Sequence, residues 1–343
     1  MKYSLPNMQL GEVLKLSKQL NKIIPDDSME LDISNMHTFD PLIMLVTGSI
    51  IKEYRLKYQN IPFTLSYNDG IGKNYAGTMG FYKYISEKIE IGKMPGEASG
   101  SSNYIPITLI DFNELHKKEL GSGNYIELGS LIEKEASKLS KIVDRGNPEM
   151  NKLLTYLIRE IMRNTPEHAA TNKLWICGQY WPSYNLAEIA ILDEGIGIYK
   201  SISKNKYHRE YLKDNKSALQ WALKAGISTA FNPSREQKDD SIWANSGYGL
   251  FMISEICKYL NGSFCLISYD NYILIDNHGI NIGDTFLSGT AIRIRVPCNK
   301  IIDAQEIISI ISKKGVEQSK NIRNAFEIAS QPSSGLIENL NIK

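Results

Sequence analysis

The sequence predicts an α/β unit followed by an α+β sandwich in which helices cover one face of a mixed sheet. Three observations carry this. Short apolar strands alternate with helical stretches over the first hundred or so residues, two long amphipathic helices follow, and beyond them the strands cluster. Helices gathered on one side of such a sheet exclude a doubly wound nucleotide fold.

The opening stretch MKYSLPNMQLGEVLKLSKQL has the Leu/Val spacing of a short amphipathic helix, and no continuous apolar core of the kind a signal peptide needs. LDIS predicts a strand, NMHTFD a turn, and residues 41–58 a helix opened by Pro41. PFTLSY is a second strand, NDGIGKN a turn, and 75–87 a helix. This spacing indicates βαβ units and a mostly parallel first sheet. IGKMPGEASGSS is rich in Gly, Ser and Pro and predicts an exposed loop, after which YIPITLIDF is expected to complete the first sheet.

Two helices come next, IELGSLIEKEASKLSKIVD and EMNKLLTYLIREIMRN, separated by Gly-Asn-Pro. Strands follow at LWICGQYW and LAEIAILD, then a helix near SALQWALKA, a polar stretch over 227–246, and a helix at GLFMISEICKYLNG. Strands at SFCLISYD, YILIDN and TAIRIRVP close the set. The tail carries one amphipathic helix, DAQEIISIISKKG, a second candidate helix, and a polar end expected to fray. Three regions result: 1–120, 121–298 and a helical tail over 299–343.

Bulk properties narrow the function classes. In 343 residues, 42% are hydrophobic and 22% charged, which suits a folded globular chain. A formal net charge of +1 supplies no global field for a nucleic acid backbone or an anionic membrane. The longest apolar stretch, PLIMLVTGSII, falls well short of the roughly 20 residues of a membrane helix. Cys177, Cys257, Cys265 and Cys298 form no CxxC pair and read as buried thiols of a reducing compartment. A soluble, cytoplasmic protein is expected.

Four short motifs carry chemistry. Glu160, Asn164 and Glu167 stand at i, i+4 and i+7 on one helix face, and a carboxylate and an amide one turn apart suit a water and a hard cation such as Mg²⁺. ILDEGIGI ends an apolar strand on Asp193, a carboxylate that needs a partner if buried, beside Gly195 and Gly197, which let a flat ring approach the backbone and permit positive φ. SGYGLFMI opens a helix on Gly247 and Gly249, where free N–H groups suit phosphates. Gly289 and Thr290 precede the last strand. Singly, each has an ordinary explanation in a solvated helix face or a turn.

Together and in this order, E-x-x-x-N, D-x-G-x-G, G-x-G-L and G-T resemble the GHKL ATPase superfamily, which embraces the ATP-binding domains of gyrase-type topoisomerases and sensor histidine kinases and the anti-sigma-factor serine kinases. The resemblance implies a Bergerat-type ATP-binding sandwich with ATP and Mg²⁺ as cofactors. Asp193 would accept the adenine amino hydrogen, Gly195 and Gly197 would shape the adenine wall, and Thr290 would support the adenine through a water. Asn164 would bind Mg²⁺, Glu160 would orient water toward the γ-phosphate, and Gly247 and Gly249 would hold phosphates. The stretch 227–246 would be the lid. Pro166, inside the motif helix, predicts a kink or an end near His168. Arg159 and Arg163 are expected off the pocket face.

The first region resembles STAS-like domains through LDISNMHTFDPLIMLVTGSI and FTLSYNDGIGKNYAGTMGFYKYI, with Ser34 and Thr38 in the turn where such domains are phosphorylated. No P-loop occurs, and no histidine phosphoacceptor box; His37, His116, His168, His208 and His278 are expected as surface or capping residues. The function expected is a Mg-ATP-binding switch that hydrolyses slowly to control a protein partner. The alternatives are a serine/threonine kinase acting on a STAS partner or in cis, and a non-catalytic nucleotide sensor. Membrane and nucleic acid are not expected as partners, and a homodimer formed through the helices before Asn151 or the tail is left open.

Overall fold

The computed structural model describes residues 1–67, 71–121, 127–233 and 246–336. In chain order its elements are β1 (Lys2–Ser4), α1 (Leu10–Leu20), β2 (Met29–Asp32), α2 (Pro41–Lys57), β3 (Phe63–Ser66), α3 (Ile71–Thr78), α4 (Phe81–Ile85), β4 (Tyr104–Asp111), α5 (Phe112–Gly121), α6 (Leu128–Val143) and α7 (Pro148–His168). They continue with β5 (Lys173–Trp181), β6 (Leu186–Asp193), α8 (Gly197–Ile202), α9 (Lys206–Arg209), α10 (Asn215–Ala222), α11 (Gly249–Tyr259), β7 (Ser263–Asp276), β8 (Gly279–Pro297), α12 (Ala304–Ser319) and α13 (Gln331–Ser334). The architecture is α+β.

The first sheet is parallel and has the order β1-β2-β3. Its outer member β1 lies in the stretch expected to be helical, and α1 begins only at Leu10. The helix expected over 75–87 is divided, because Gly80 takes φ 85° with its backbone against Pro95, and the chain restarts there as α4.

The second sheet has the order β4-β5-β6-β8-β7 and every pair in it is antiparallel, which corrects the expectation of a mixed sheet. The reason lies in the connections. β5 reaches β6 through a tight turn closed by Asn185 at φ 48°, and β7 reaches β8 through two residues; turns this short can join only antiparallel neighbours. SFCLISYD and YILIDN are one strand with irregular register near Tyr269.

β4 also departs from expectation. It forms the edge of the second sheet, paired with β5, and takes no part in the first. Its apolar run is satisfied there because that sheet is buried on both sides: Ile105 and Ile110 join the core under the helices, and Ile107 joins the core under the N-terminal elements.

Alternation along the strands sorts the two cores. On β6, Ala187, Ile189 and Ile191 face α6, α7, α11 and α12, whereas Ala190 and Leu192 face α1, α2 and α4. Helices thus cover one face, as expected, and the N-terminal elements cover the other. Glu188, on the N-terminal side and fully buried, accepts from the Leu42 backbone N–H at 3.0 Å and from Arg295, which also bonds Asp40 at 2.6 Å. A polar clamp therefore joins the start of α2 to the middle of the sheet.

α7 is the central helix of the other layer. Asn147 caps it, accepting from Glu149 N and Met150 N, and Pro148 occupies the first turn, so the Gly-Asn-Pro break is the helix start. Leu153, Leu154, Leu157, Ile158 and Ile161 are buried, each contributing roughly 1.5–3 kcal/mol by removal from water. The helix ends at His168, two residues past Pro166. The tail is packed as far as Leu336: Ile307, Ile308 and Ile311 of α12 lie in the same core. All four cysteines are buried free thiols.

Candidate functional site

A cavity opens where the C-terminal end of α7 meets the end of β6 and the start of α11. Its free volume is about 70 Å³, below the roughly 300–1,000 Å³ typical of small-molecule sites, and its mouth opens to solvent. Asn164, Asp193, Gly197, Gly247, Gly249 and Thr290 all line it. Four separate stretches of sequence therefore converge on one space. Ile161, Ile191, Ile198, Ile202, Ile227, Leu250 and Ile292 supply an apolar wall. A wider groove over β3, bordered by Arg55, Phe63 and Ile89, gathers none of the motifs.

Asp193 reaches the cavity because it is two positions on from Ile191 and shares that face of β6. Thr290 is its cross-strand partner on β8 and shares the face with Ile292. The carboxyl accepts from Gly195 N at 2.9 Å, and burial pushes its pKa up to about 7, with the hydrogen bonds from Gly195 and the Thr290 backbone opposing and the nearby Glu194 assisting. An acid held in this way gains from a donor with a matching edge.

Asn164 stands one turn before His168, and its side-chain nitrogen is buried without a hydrogen-bond partner among the described residues. An orphaned amide costs about 1–3 kcal/mol unless something binds it. Since the nitrogen and oxygen of an amide are interchangeable by a flip, the group can present either a donor or an acceptor to the cavity. Its oxygen suits a hard cation that takes most of its ligands from phosphate and water. Among the described residues no cluster of three His, Cys, Asp or Glu side chains forms a metal cage, so any cation here would rely on a bound ligand's oxygens.

The glycines do different work from one another. Gly247 has φ 72°, and a Cβ there would stand 2.3 Å from the Ile227 carbonyl oxygen; Gly197 has φ 74° with the Tyr269 ring 2.4 Å from the same hypothetical atom. Gly195 departs from the expectation of positive φ: glycine is needed there because a Cβ would meet Ala169 O at 2.3 Å, where Ile196 N donates to that oxygen. Gly195 does not line the cavity; it holds Asp193. Among the described residues no side chain caps the start of α11, and Gly249 and Leu250 of its first turn line the cavity, where a helix start favours an anion.

Glu160 is also outside the lining. It is 3% exposed, its Oε1 accepts from Arg159 Nη2 at 3.0 Å and Nε at 3.1 Å, and Arg163 Nη1 lies 3.7 Å away. Its Oε2 accepts from Ser333 Oγ at 3.1 Å. Arg159 and Arg163 stand off the cavity, yet they fix this acid, a role that their spacing did not suggest. Glu167 is exposed and pairs with Arg163 Nε at 3.1 Å.

Sequence reasoning missed His168, Thr165, Ser201 and Thr229, which also line the cavity. His168, partly exposed at the end of α7, also faces inward: its Nδ1 meets Thr229 Oγ1 at 3.1 Å, and burial, with the charge of Arg163, lowers its pKa to about 4. Its position one turn beyond Asn164 was the available signal. The expected lid lies mostly outside the described residues, which reach Pro233 and resume at Ser246; its near end, Ile227 and Thr229, borders the cavity. Against protein-family models, curated proteins and solved structures, the chain shows no match.

Proposed function

We propose that this cavity binds Mg-ATP and that the protein is an ATP-operated switch of the GHKL type, with a Bergerat-type sandwich on a STAS-like N-terminal unit. The observation that carries the reading is the convergence of Asn164, Asp193, Gly247, Gly249 and Thr290 on one apolar-walled space. Asp193 accepts the exocyclic amine of adenine, and Thr290 beside it supports the ring. Asn164 would hold the cation, and the α11 start would hold the phosphates. When bound, the cation would supply charge neutralisation at the phosphates. Glu160, behind Gly249, would orient water toward the γ-phosphate for slow hydrolysis.

A route from site to partner surface supports the switch. Glu194, next to Asp193, pairs with Lys52 of α2 at 3.1 Å, and β6 also carries the buried Glu188 clamp to the start of α2. A nucleotide that pulls on Asp193 therefore pulls on the N-terminal unit, the surface offered to a protein partner. Equilibrium binding of ATP, compared between the natural protein and Asp193→Asn, tests the assignment. We expect a loss of 10-fold or more, in line with about 1.5–3 kcal/mol for a hydrogen bond to a charged group. Equal affinity in the two proteins ends the reading.

A further inference from the structure

The C-terminal segment packs behind the start of α11, outside the cavity lining. Phe326 N donates to Gly226 O at 2.9 Å, Tyr248 Oη donates to Phe326 O at 3.0 Å, and Ser330 N donates to Ser246 Oγ at 2.8 Å. These contacts seat α13 beside Gly247 and Gly249. Tyr156 Oη fixes the backbone oxygen of Ser333 at 2.9 Å, and Ser333, 3% exposed, directs its hydroxyl at Glu160 Oε2.

A buried hydroxyl within hydrogen-bond reach of a carboxylate that is itself held by further groups has the form of an activated nucleophile. Glu160 is the carboxylate, and Arg159 and Arg163 hold it. Gly249, which lines the cavity, lies against Glu160: a Cβ there would be 3.1 Å from Glu160 Oε2. Asn164 lies one helical turn from Glu160. Nucleophile, base, cation ligand and phosphate cradle are thus neighbours.

We propose that Ser333 is a phosphoryl acceptor in cis, modified by the nucleoside triphosphate bound in the cavity; this rests on the ATP reading above. The Ser333 Oγ–Pγ bond forms as the bond from Pγ to the β,γ-bridging oxygen breaks. The hydroxyl proton passes to the Glu160 carboxylate, and the nucleoside diphosphate leaves with the bond's electron pair. The product is a serine phosphomonoester placed among Arg159, Arg163 and the α11 start. Its charge of about −1.5 to −2 replaces the neutral hydroxyl that meets Glu160 Oε2, so the Ser333–Glu160 contact gives way to repulsion while Arg159 and Arg163 remain as counter-charges.

The test incubates the full chain with Mg²⁺ and ATP labelled at the γ-phosphate, while ATP affinity is measured separately on the same preparation. The expected result is one label per chain, mapped by peptide mass spectrometry to Ser333, appearing at a rate independent of protein concentration. Ser333→Ala loses the label, Ser333→Thr retains it, and Glu160→Gln slows its appearance by 10²-fold or more. Bound ATP with all γ-phosphate released free, with no transfer at all, or with label on Ser330, Ser334 or another residue overturns the proposal and leaves the nucleotide reading standing. Failure to bind ATP ends both.

Discussion

Replacing Asp193 by asparagine removes a buried carboxylate while keeping its shape and the oxygen that accepts from Gly195 N. In the absence of ligand this substitution should stabilise the protein, by an amount that grows with pH. The folded carboxyl has a pKa of about 7, raised chiefly by burial, against about 3.9 in an unfolded chain. Between those values the folded state holds a proton that the unfolded state has released, so stability falls as pH rises from about 4 to about 7 and is level on either side. At about 1.36 kcal/mol per pH unit the full penalty approaches about 4 kcal/mol, of which about 2.7 kcal/mol accrues above pH 5. Asparagine does not titrate and escapes it. Urea unfolding of both proteins at pH 5 and pH 8 reads the effect: the advantage of Asp193→Asn should be larger by about 2–3 kcal/mol at pH 8. An advantage that is the same at both pH values refutes the argument that a desolvated acid awaits a donor. Saturating ATP should reverse the order at pH 8, because only the natural carboxylate then has its partner.

Glu188→Ala should cost about 3–5 kcal/mol in chemical unfolding, because it strips partners from the buried Leu42 N–H and from Arg295; a loss below about 1 kcal/mol would show that the clamp is dispensable. Gly247→Ala should destabilise by at least about 1–2 kcal/mol from its positive φ alone, and more from the contact with Ile227 O, and should weaken ATP binding; a neutral result in both thermal melting and ATP titration contradicts the geometry. His168, whose pKa is lowered to about 4 by burial and Arg163, should keep a neutral imidazole in NMR titration down to about pH 5, with any stability it confers lost as pH falls from about 6.5 toward 4; a midpoint near 6.5 would place it in water.

How much of this was legible in the sequence depends on range. Local chemistry was readable: the Gly-Asn-Pro break before α7, the α7 end after Pro166, and the periodicities of β6 and α7 are set by residues within a turn or two of each other. Sheet membership was not. The run YIPITLIDF is apolar enough for either sheet, and only the supply of apolar surface on both sides, known once α2 and α6 are in place, settles it on β5. The same holds for Gly195: D-x-G-x-G announces a tight approach, but that the approach is to Ala169 O depends on where α7 ends.

Glu160 shows what a motif alone leaves out. Its spacing from Asn164 places both on one helical face, yet a face of a helix buried all round can look in several directions, and Glu160 looks toward Arg159, Arg163 and Ser333 while Asn164 looks into the cavity. Of these three partners, Arg159 and Arg163 were visible as neighbours in sequence; Ser333 is 173 residues away, in a tail read as a second candidate helix and a frayed end. An acid with two guanidiniums and a single hydroxyl is well satisfied electrostatically, so the hydroxyl is not required to neutralise its charge. What the hydroxyl adds is position, and that is the property a transfer reaction needs from its acceptor.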